Sequence, residues 1–153
     1  GSTESVLVSG RLIGGCLDTI AWLAGSKFGN IPNFVQESGT QGTILYLENV
    51  EMAPPGLVRA LLSLRRHRWF DGLSGLLIGR NAGPTPDSTD SLSYTEALAA
   101  ALGDVPYPVL YDVDIGHQPP QFTLVNGAVA HVHFIDGRGS IVQVASAYNY
   151  LSG

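Results

Sequence analysis

Short apolar runs bounded by glycine, proline and polar turn residues dominate the hydrophobic pattern of this chain. Such runs are typical of strands that are buried in a sheet. They predict strands over residues 6–8, 42–48, 73–79, 111–115, 121–125, 127–134 and 140–144. The turn residues Asn126-Gly127 and Asp136-Gly137 separate the last three strands, and the second pair predicts a hairpin.

A helical period predicts three helices, over residues 16–24, 56–68 and 94–102. The last of them begins with Ser93-Tyr94-Thr95-Glu96, which has the form of a capping box, and ends at Gly103. Residues 25–42 are rich in Gly, Asn, Pro and Ser and predict a long loop. Residues 10–15 predict a glycine-rich turn. Its Gly14-Gly15 pair lacks the spacing of a phosphate motif, which favours close backbone packing over anion binding.

The order of elements predicts an α/β fold with a mixed sheet and about three helices. A chain of 153 residues is long enough for one domain with a buried core. We expect this domain to cover residues 5–145, with short tails at 1–4 and 146–153. Gly1-Ser2 is typical of an expression scar, so we expect the chain to be a piece of a longer protein.

Charge and cysteine content narrow the function classes. The net charge is −5, and the basic run Arg65-Arg66-His67-Arg68 falls at the end of a predicted helix, where cations stabilise the dipole. This pattern argues against a nucleic-acid partner. The lone Cys16 excludes an internal disulfide and favours a cytoplasmic location, and no apolar run is long enough for a membrane partner. The low charge also allows a face covered by a partner, such as a second copy in a homodimer.

His117 and Glu48 are the candidate catalytic residues. His117 follows an apolar strand, with Gly116 before it and Pro119-Pro120 after it, and histidine is the usual proton shuttle near neutral pH. Glu48 ends a buried strand, and sites collect at the carboxyl ends of strands. A carboxylate that orients a histidine makes up two-thirds of a nucleophilic triad. The alternative is that His117 is an ordinary polar residue in a tight turn.

Arg80 and Asn81 are the candidate substrate-binding residues. Both follow the strand over residues 73–79, and an arginine at a strand end can anchor a carboxylate or a phosphate. Arg80 could equally pair with an acidic neighbour.

A metal site is the weaker interpretation of His131 and His133. Two positions apart on a strand, they would share one face. A third ligand would have to come from a distant carboxylate, because no further His or Cys has metal spacing. We therefore predict no metal and no cofactor, and keep a metal hydrolase only as an alternative.

Three segments together resemble a known family. Gly14-Gly15-Cys16-Leu17 resembles its Gly-Gly-Asn-Leu, Ile44-Leu45-Tyr46-Leu47-Glu48 its Ile-Leu-Phe-Leu-Glu, and Gly116-His117 with Leu124-Val125-Asn126-Gly127-Ala128 its Gly-His and Leu-Pro-hydrophobic-Gly-Ala. These are landmarks of the C-terminal domain of the LD-carboxypeptidase and microcin C immunity family of serine peptidases. The 69 positions between Glu48 and His117 are similar to the family's separation. Cys16 departs from the family's Asn.

The resemblance implies a swivelling β/β/α domain and a Ser-Glu-His triad in which Glu48 orients His117. It also implies that the nucleophilic serine and the oxyanion hole lie on a separate N-terminal domain, at a Gly-aromatic-Ser-Asp elbow. The 153 residues contain no such elbow. We therefore expect this chain to be inactive alone and to need that domain as its partner.

Two substrate branches follow from the resemblance. One hydrolyses a microcin C-like peptidyl or aminoacyl nucleotide and confers self-immunity, a form of antibiotic resistance. The other is a murein LD-carboxypeptidase that cuts the L,D bond of the tetrapeptide. The residues after Glu48 lack the Asp-Val-Gly-Glu-Pro-Tyr string of the murein branch, which favours the first. A non-catalytic binding or dimerisation module is a further alternative.

Overall fold

The computed structural model describes residues 5–86, 88 and 91–144. The tails expected at residues 1–4 and 146–153, and the end of the domain at residue 145, lie outside this part of the chain.

Six strands form one mixed sheet, which confirms the predicted α/β class. They are β1 (Ser5–Cys16), β2 (Thr43–Glu48), β3 (Gly75–Gly79), β4 (Val109–Val113), β5 (Val129–Ile135) and β6 (Arg138–Val144). Their order in the sheet is β4-β3-β2-β1-β5-β6. The first four strands are parallel, whereas β5 and β6 are antiparallel to their neighbours. The carboxyl ends of the four parallel strands therefore lie along one edge of the sheet.

Four helices lie in the described part of the chain, one more than the three predicted. They are α1 (Leu17–Ile20), α2 (Ile31–Ser38), α3 (Pro54–Arg66) and α4 (Tyr94–Leu102). Helix α4 has the bounds that its capping box predicted, and Ser93 and Glu96 exchange the two expected hydrogen bonds. The helix predicted over residues 16–24 is instead α1 followed by a short 3-10 turn.

The prediction of a long loop over residues 25–42 was wrong, because this stretch contains α2. The side chain of Asn30 accepts a hydrogen bond from the backbone N–H of Asn33 and so caps the helix, and Pro32 stands in its first turn. Both are ordinary start signals. The many Gly and Asn residues around this short helix favoured a loop prediction despite these two start signals.

The first strand and the segment before β5 also differ from the predictions. The glycine-rich turn expected at residues 10–15 is the second half of β1, because those backbones pair with β2. Residues 121–125 do not form the predicted strand. Their polar backbone groups bond instead to Gln143, whose side-chain amide binds the carbonyl of Thr123 and the N–H of Val125. The hairpin at Asp136-Gly137 is confirmed, with positive φ at both turn residues.

The sheet separates two apolar cores. The larger core lies under the helices, and Leu45, Leu47 and Leu76 project into it from the sheet. Trp69 and Phe70, which follow α3, are buried there. The smaller core lies on the opposite face and contains Leu12, Ile44, Leu77, Ile115 and Val132. Alternation along β2 places Tyr46 and Glu48 on this second face.

No helix among the described residues has both the length and the apolar character that crossing a membrane requires.

Gly14 allows β1 and β2 to approach closely. Its φ is +152°, and a Cβ at this position would lie 1.8 Å from the carbonyl oxygen of Tyr46. We expect Gly14→Ala to lower the free energy of unfolding by about 3 kcal/mol or more, because backbone must move to relieve the clash. Urea denaturation measures this change.

Gly39→Ala is the matched control for this experiment. Gly39 also has a positive φ, +52°, but a Cβ there meets no atom within 4 Å. We expect it to cost about 1 to 2 kcal/mol, the strain of that backbone conformation alone. Equal losses in the two variants would contradict a steric role for Gly14.

Candidate active site

The candidate site lies at the edge of the sheet where the parallel strands end. Cys16 and Glu48 are the last residues of β1 and β2, and they are partners in the register of the two strands. His117 lies four residues beyond the end of β4. Parallel topology therefore brings together residues that are far apart in the sequence.

Glu48 and His117 are joined by hydrogen bonds. The Nδ1 atom of His117 lies 3.0 Å from Oε1 and 3.1 Å from Oε2 of Glu48. The Glu48 side chain is 5% exposed and the His117 side chain 59% exposed. A buried carboxylate at Nδ1 favours the tautomer with its proton on that nitrogen. The other nitrogen, Nε2, is on the far side of the ring from Glu48 and has its lone pair free for a proton.

Two glycines make room for the Glu48 side chain. A Cβ on Gly79 would lie 2.8 Å from Cβ of Glu48, and a Cβ on Gly116 would lie 2.7 Å from Oε2 of Glu48. Gly116 also has a φ of +100°, a conformation that residues with side chains rarely adopt. The residue before His117 must therefore be glycine for a steric reason, because it packs against the Glu48 carboxylate.

Cys16 lies beside the same carboxylate. Burial, followed by hydrogen bonding and charge repulsion from Glu48, raises the pKa of the Cys16 thiol. The thiol also lies 3.6 Å from the Asp18 carboxylate. A protonated thiol can donate to a carboxylate, whereas a thiolate would add a second negative charge beside Glu48.

Asp18 and Asn49 hold the chain where it leaves Glu48, and neither was among the site residues predicted from the sequence. The Asp18 carboxylate accepts hydrogen bonds from the N–H groups of Val50 and Glu51. Asn49 is buried. Its side-chain N–H donates to the carbonyl oxygen of Met52, and its side-chain oxygen accepts a hydrogen bond from the Met52 N–H. An acidic residue in the first turn of a helix was the available signal for Asp18, but helix dipoles explain that position equally well.

Arg80 holds the loop that carries His117. Its guanidinium donates to the carbonyl oxygens of Gln118 (2.6 Å), Pro119 (3.3 Å) and Pro120. Its Nε lies 3.1 Å from the Asp114 carboxylate. One side chain from the end of β3 therefore binds both ends of the 114–120 segment.

Asn81 follows Arg80 and also contacts the loop that carries His117. Its side-chain oxygen accepts a hydrogen bond from the Asn49 amide (2.7 Å), and its carbonyl accepts one from the Gln118 side chain (2.8 Å). Arg80 and Asn81 also line a cavity of about 550 Å³. That either residue contacts a substrate stays a prediction.

Asn126, which the sequence analysis gave as a turn residue and as part of a family-like segment, bonds to the ends of β1 and β2. Its side chain bonds to the backbone N–H and carbonyl of Gly14 and accepts a hydrogen bond from the Tyr46 hydroxyl. The Asn-Gly turn is thereby tied to the ends of β1 and β2.

His131 and His133 lie on an exposed face of β5, and Nδ1 of His131 is 2.8 Å from the Ser9 hydroxyl. Within residues 5–86, 88 and 91–144, no three His, Cys, Asp or Glu side chains are grouped to hold a metal ion.

Gly116→Ala should displace the Glu48 carboxylate from His117, because the added methyl group overlaps Oε2 and the backbone is strained. We expect the His117 ring to change from one tautomer, protonated at Nδ1, to a mixture. The ¹⁵N chemical shifts of the ring nitrogens measure this population. Gly137→Ala, at a positive φ in the open hairpin, is the control and should leave the ring unchanged. An unchanged ring in Gly116→Ala would contradict the steric argument.

Arg80→Lys should loosen the His117 loop, since an ammonium group cannot reach three carbonyl oxygens and Asp114 at once. We expect faster amide hydrogen exchange at Phe122, whose N–H bonds to the carbonyl of Asp114. The control is Arg59→Lys on the exposed side of α3. Exchange that is equally slow in both variants would show that the loop is held by other contacts.

Comparison with known proteins identifies the family of this chain. The model of the LD-carboxypeptidase C-terminal domain matches residues 9–132. The microcin C7 self-immunity protein MccF of Escherichia coli is 28% identical over 136 residues, which are 89% of this chain and 37% of that protein. A protein of Streptomyces coelicolor, provisionally named a carboxypeptidase, is 31% identical over 130 residues, 82% of this chain and 38% of its own length.

Solved structures show the same fold. A muramoyltetrapeptide carboxypeptidase from Oxalobacter formigenes superimposes with a TM-score of 0.73 at 23% identity, over 92% of this chain and 46% of that one. An MccF-like protein from Streptococcus pneumoniae, in complex with AMP, has a TM-score of 0.60 at 26% identity, over 86% and 41%. This chain spans less than two-fifths of the length of the curated relatives it matches. It belongs to the LD-carboxypeptidase C-terminal domain family.

Proposed function

We propose that this chain supplies the Glu48–His117 pair of a Ser-Glu-His triad in a serine carboxypeptidase. The observation that supports the proposal is the contact of one His117 nitrogen with both oxygens of a buried carboxylate, while the ring itself stays exposed. A triad needs this arrangement, because the base must be oriented on one side and accessible on the other.

In the proposed mechanism His117 moves the proton and Glu48 stabilises the charge. Nε2 accepts the proton of a serine hydroxyl as its oxygen attacks the scissile carbonyl carbon. The imidazolium ion then donates this proton to the leaving group, and an acyl-serine ester remains. A water molecule, deprotonated by the same nitrogen, hydrolyses the ester. Glu48 stays ionised throughout and lowers the free energy of the imidazolium ion.

The serine belongs, in this proposal, to an N-terminal domain that docks on the exposed face of His117. The 153 residues contain no Gly-aromatic-Ser-Asp elbow, and the relatives have more than half of their length outside the matched region. A base and its orienting carboxylate without a nucleophile cannot form the acyl intermediate. We therefore propose that the chain alone is inactive.

For the substrate we propose a microcin C-like peptidyl or aminoacyl nucleotide. MccF structures have been solved with glutamyl sulfamoyl guanosine and with aspartyl sulfamoyl adenosine, and both superimpose on this chain with a TM-score of 0.70 at 24% identity. The residues after Glu48 also lack the murein-branch string. The second candidate is murein L,D-carboxypeptidase activity, which the similarity to the muramoyltetrapeptide carboxypeptidase supports.

The test begins with the coding sequence upstream of residue 1 and continues with the protein it encodes. We expect a serine elbow upstream, and hydrolysis of an aminoacyl sulfamoyl adenosine by the longer protein but not by the 153-residue chain. A muramoyl tetrapeptide, assayed in parallel, separates the two substrate branches. A longer protein without the serine, and with no activity on either compound, would leave the chain as a binding module.

In the longer protein, His117→Ala should lower kcat by about 10⁴-fold or more and Glu48→Gln by about 10²- to 10⁴-fold, because general base and orienting carboxylate act as a unit. His131→Ala is the matched control, since it removes an exposed histidine outside the site. Unchanged kcat in His117→Ala would contradict the proposed mechanism, as would an equal loss in His131→Ala.

A further inference from the structure

Strand β4 contains a β-bulge shortly before the loop that carries His117. Leu77 pairs with Leu110 and Gly79 pairs with Val113, so β4 has one residue more than β3 over the same stretch. Asp112 lies within it and has a φ of +54°, although it is not a glycine. Bulges change the direction of side chains and are common next to active sites. Tyr111 and Asp112 would point to opposite faces in a regular strand, and here both border one cavity.

This cavity, of about 550 Å³, lies between β4, the start of α4 and the loop that carries His117. Tyr94 from α4 lines it together with Tyr111 and Asp112. Gln118, the residue after His117, lines the side towards the candidate active site. Tyr94 also borders a small recess that reaches Glu48. Gln118 and Arg80 therefore place the cavity next to the loop that carries His117.

The charges around the cavity favour a cation. Arg80 is the positive group of the described lining, and Asp114 and three carbonyl oxygens already neutralise it. The Asp112 carboxylate forms no ion pair within the described residues. Burial, together with the charges of Asp112 and Tyr111, raises the pKa of Tyr94 to about 12, so this phenol is neutral at physiological pH. A cavity lined by one carboxylate without an ion pair and by two tyrosines suits an ammonium group.

We propose that the cavity bounded by Tyr94, Tyr111 and Asp112 is a subsite for the ammonium group of the substrate. The proposal rests on the proposed peptidase function and specifies its substrate class, a compound with a free protonated amine near the scissile bond. The amine could be the α-ammonium of an aminoacyl group or the side-chain ammonium of a diamino acid. Both have the same chemistry, and the experiment distinguishes them.

Three matched probes test the proposal on the 153-residue chain. L-Norleucine amide has an α-ammonium, Nα-acetyl-L-lysine amide has a side-chain ammonium, and Nα-acetyl-L-norleucine amide has neither. Each is titrated into ¹⁵N-labelled protein, and the amide shifts of Tyr111, Asp112 and α4 are followed. We expect saturable shifts with at least one ammonium probe and much weaker shifts with the neutral one. The probe that binds more tightly identifies the source of the amine.

Asp112→Asn should weaken the binding of the ammonium probe about fivefold or more, since it removes the charge but keeps the shape. Asn tolerates the positive φ at this position. Asp136→Asn is the matched control, because Asp136 is exposed and also has a positive φ, +49°, in a turn outside the cavity. Tyr111→Ala, at an exposed residue, tests the aromatic wall independently and should weaken binding to a similar degree.

Two results would overturn the subsite. One is equal binding of the neutral and ammonium probes, and the other is unchanged affinity in both Asp112→Asn and Tyr111→Ala. Neither result depends on hydrolysis. The subsite can therefore fail while the longer protein still cleaves its substrate. Failure of the peptidase assignment shows separately, as absent hydrolysis with the binding of the ammonium probe unchanged.

Discussion

A carboxylate that is removed from water at the end of a strand is costly unless polar groups surround it. Glu48 is in this position at the end of β2, and much of the nearby architecture serves it. His117 bonds to both of its oxygens, the protonated Cys16 thiol lies beside it, and two glycines leave space for it. If this carboxylate moved, the orientation of the histidine would be lost with it.

The sheet provides the fixed frame for this contact. Four parallel strands end at one edge, and leucines under the helices fix β2 and β3 from one face. The other face is left to a smaller core and to the polar residues at the strand ends. The helices therefore stabilise the strands without covering His117, which stays accessible to a second domain in the function we propose.

Loops, by contrast, are fixed mainly by polar contacts. Arg80 gathers the backbone carbonyls after His117, Asp18 holds the chain after Glu48, and Asn126 ties the turn before β5 to the end of β1. Each of these side chains reaches across from a different strand end. A rigid loop holds a general base within the narrow range of positions that proton transfer requires.

Local signals in the sequence were sufficient for some elements and not for others. The capping box at Ser93 located α4 without error, and the apolar runs located β2 and β3 to within two residues. Local signals also predicted a turn at residues 10–15, where β1 continues, and did not predict α2. Glycines in β1 are explained by the close approach of β2, and that contact is not visible in β1 alone.

By itself, the sequence determined the α/β class and the position of Glu48 at a strand end, because periodicity and turn residues are local properties. It also placed His117 in a turn after a strand, although that strand, β4, ends at Val113, two residues before its predicted end. The tertiary structure decided which strand ends are neighbours, and so brought together residues 69 positions apart. It also decided that Arg80 binds the His117 loop and that Tyr111 and Asp112, at a bulge in β4, line one cavity, since both depend on the register between strands. Hydrogen bonds and steric contacts between distant segments have no signature in either segment alone.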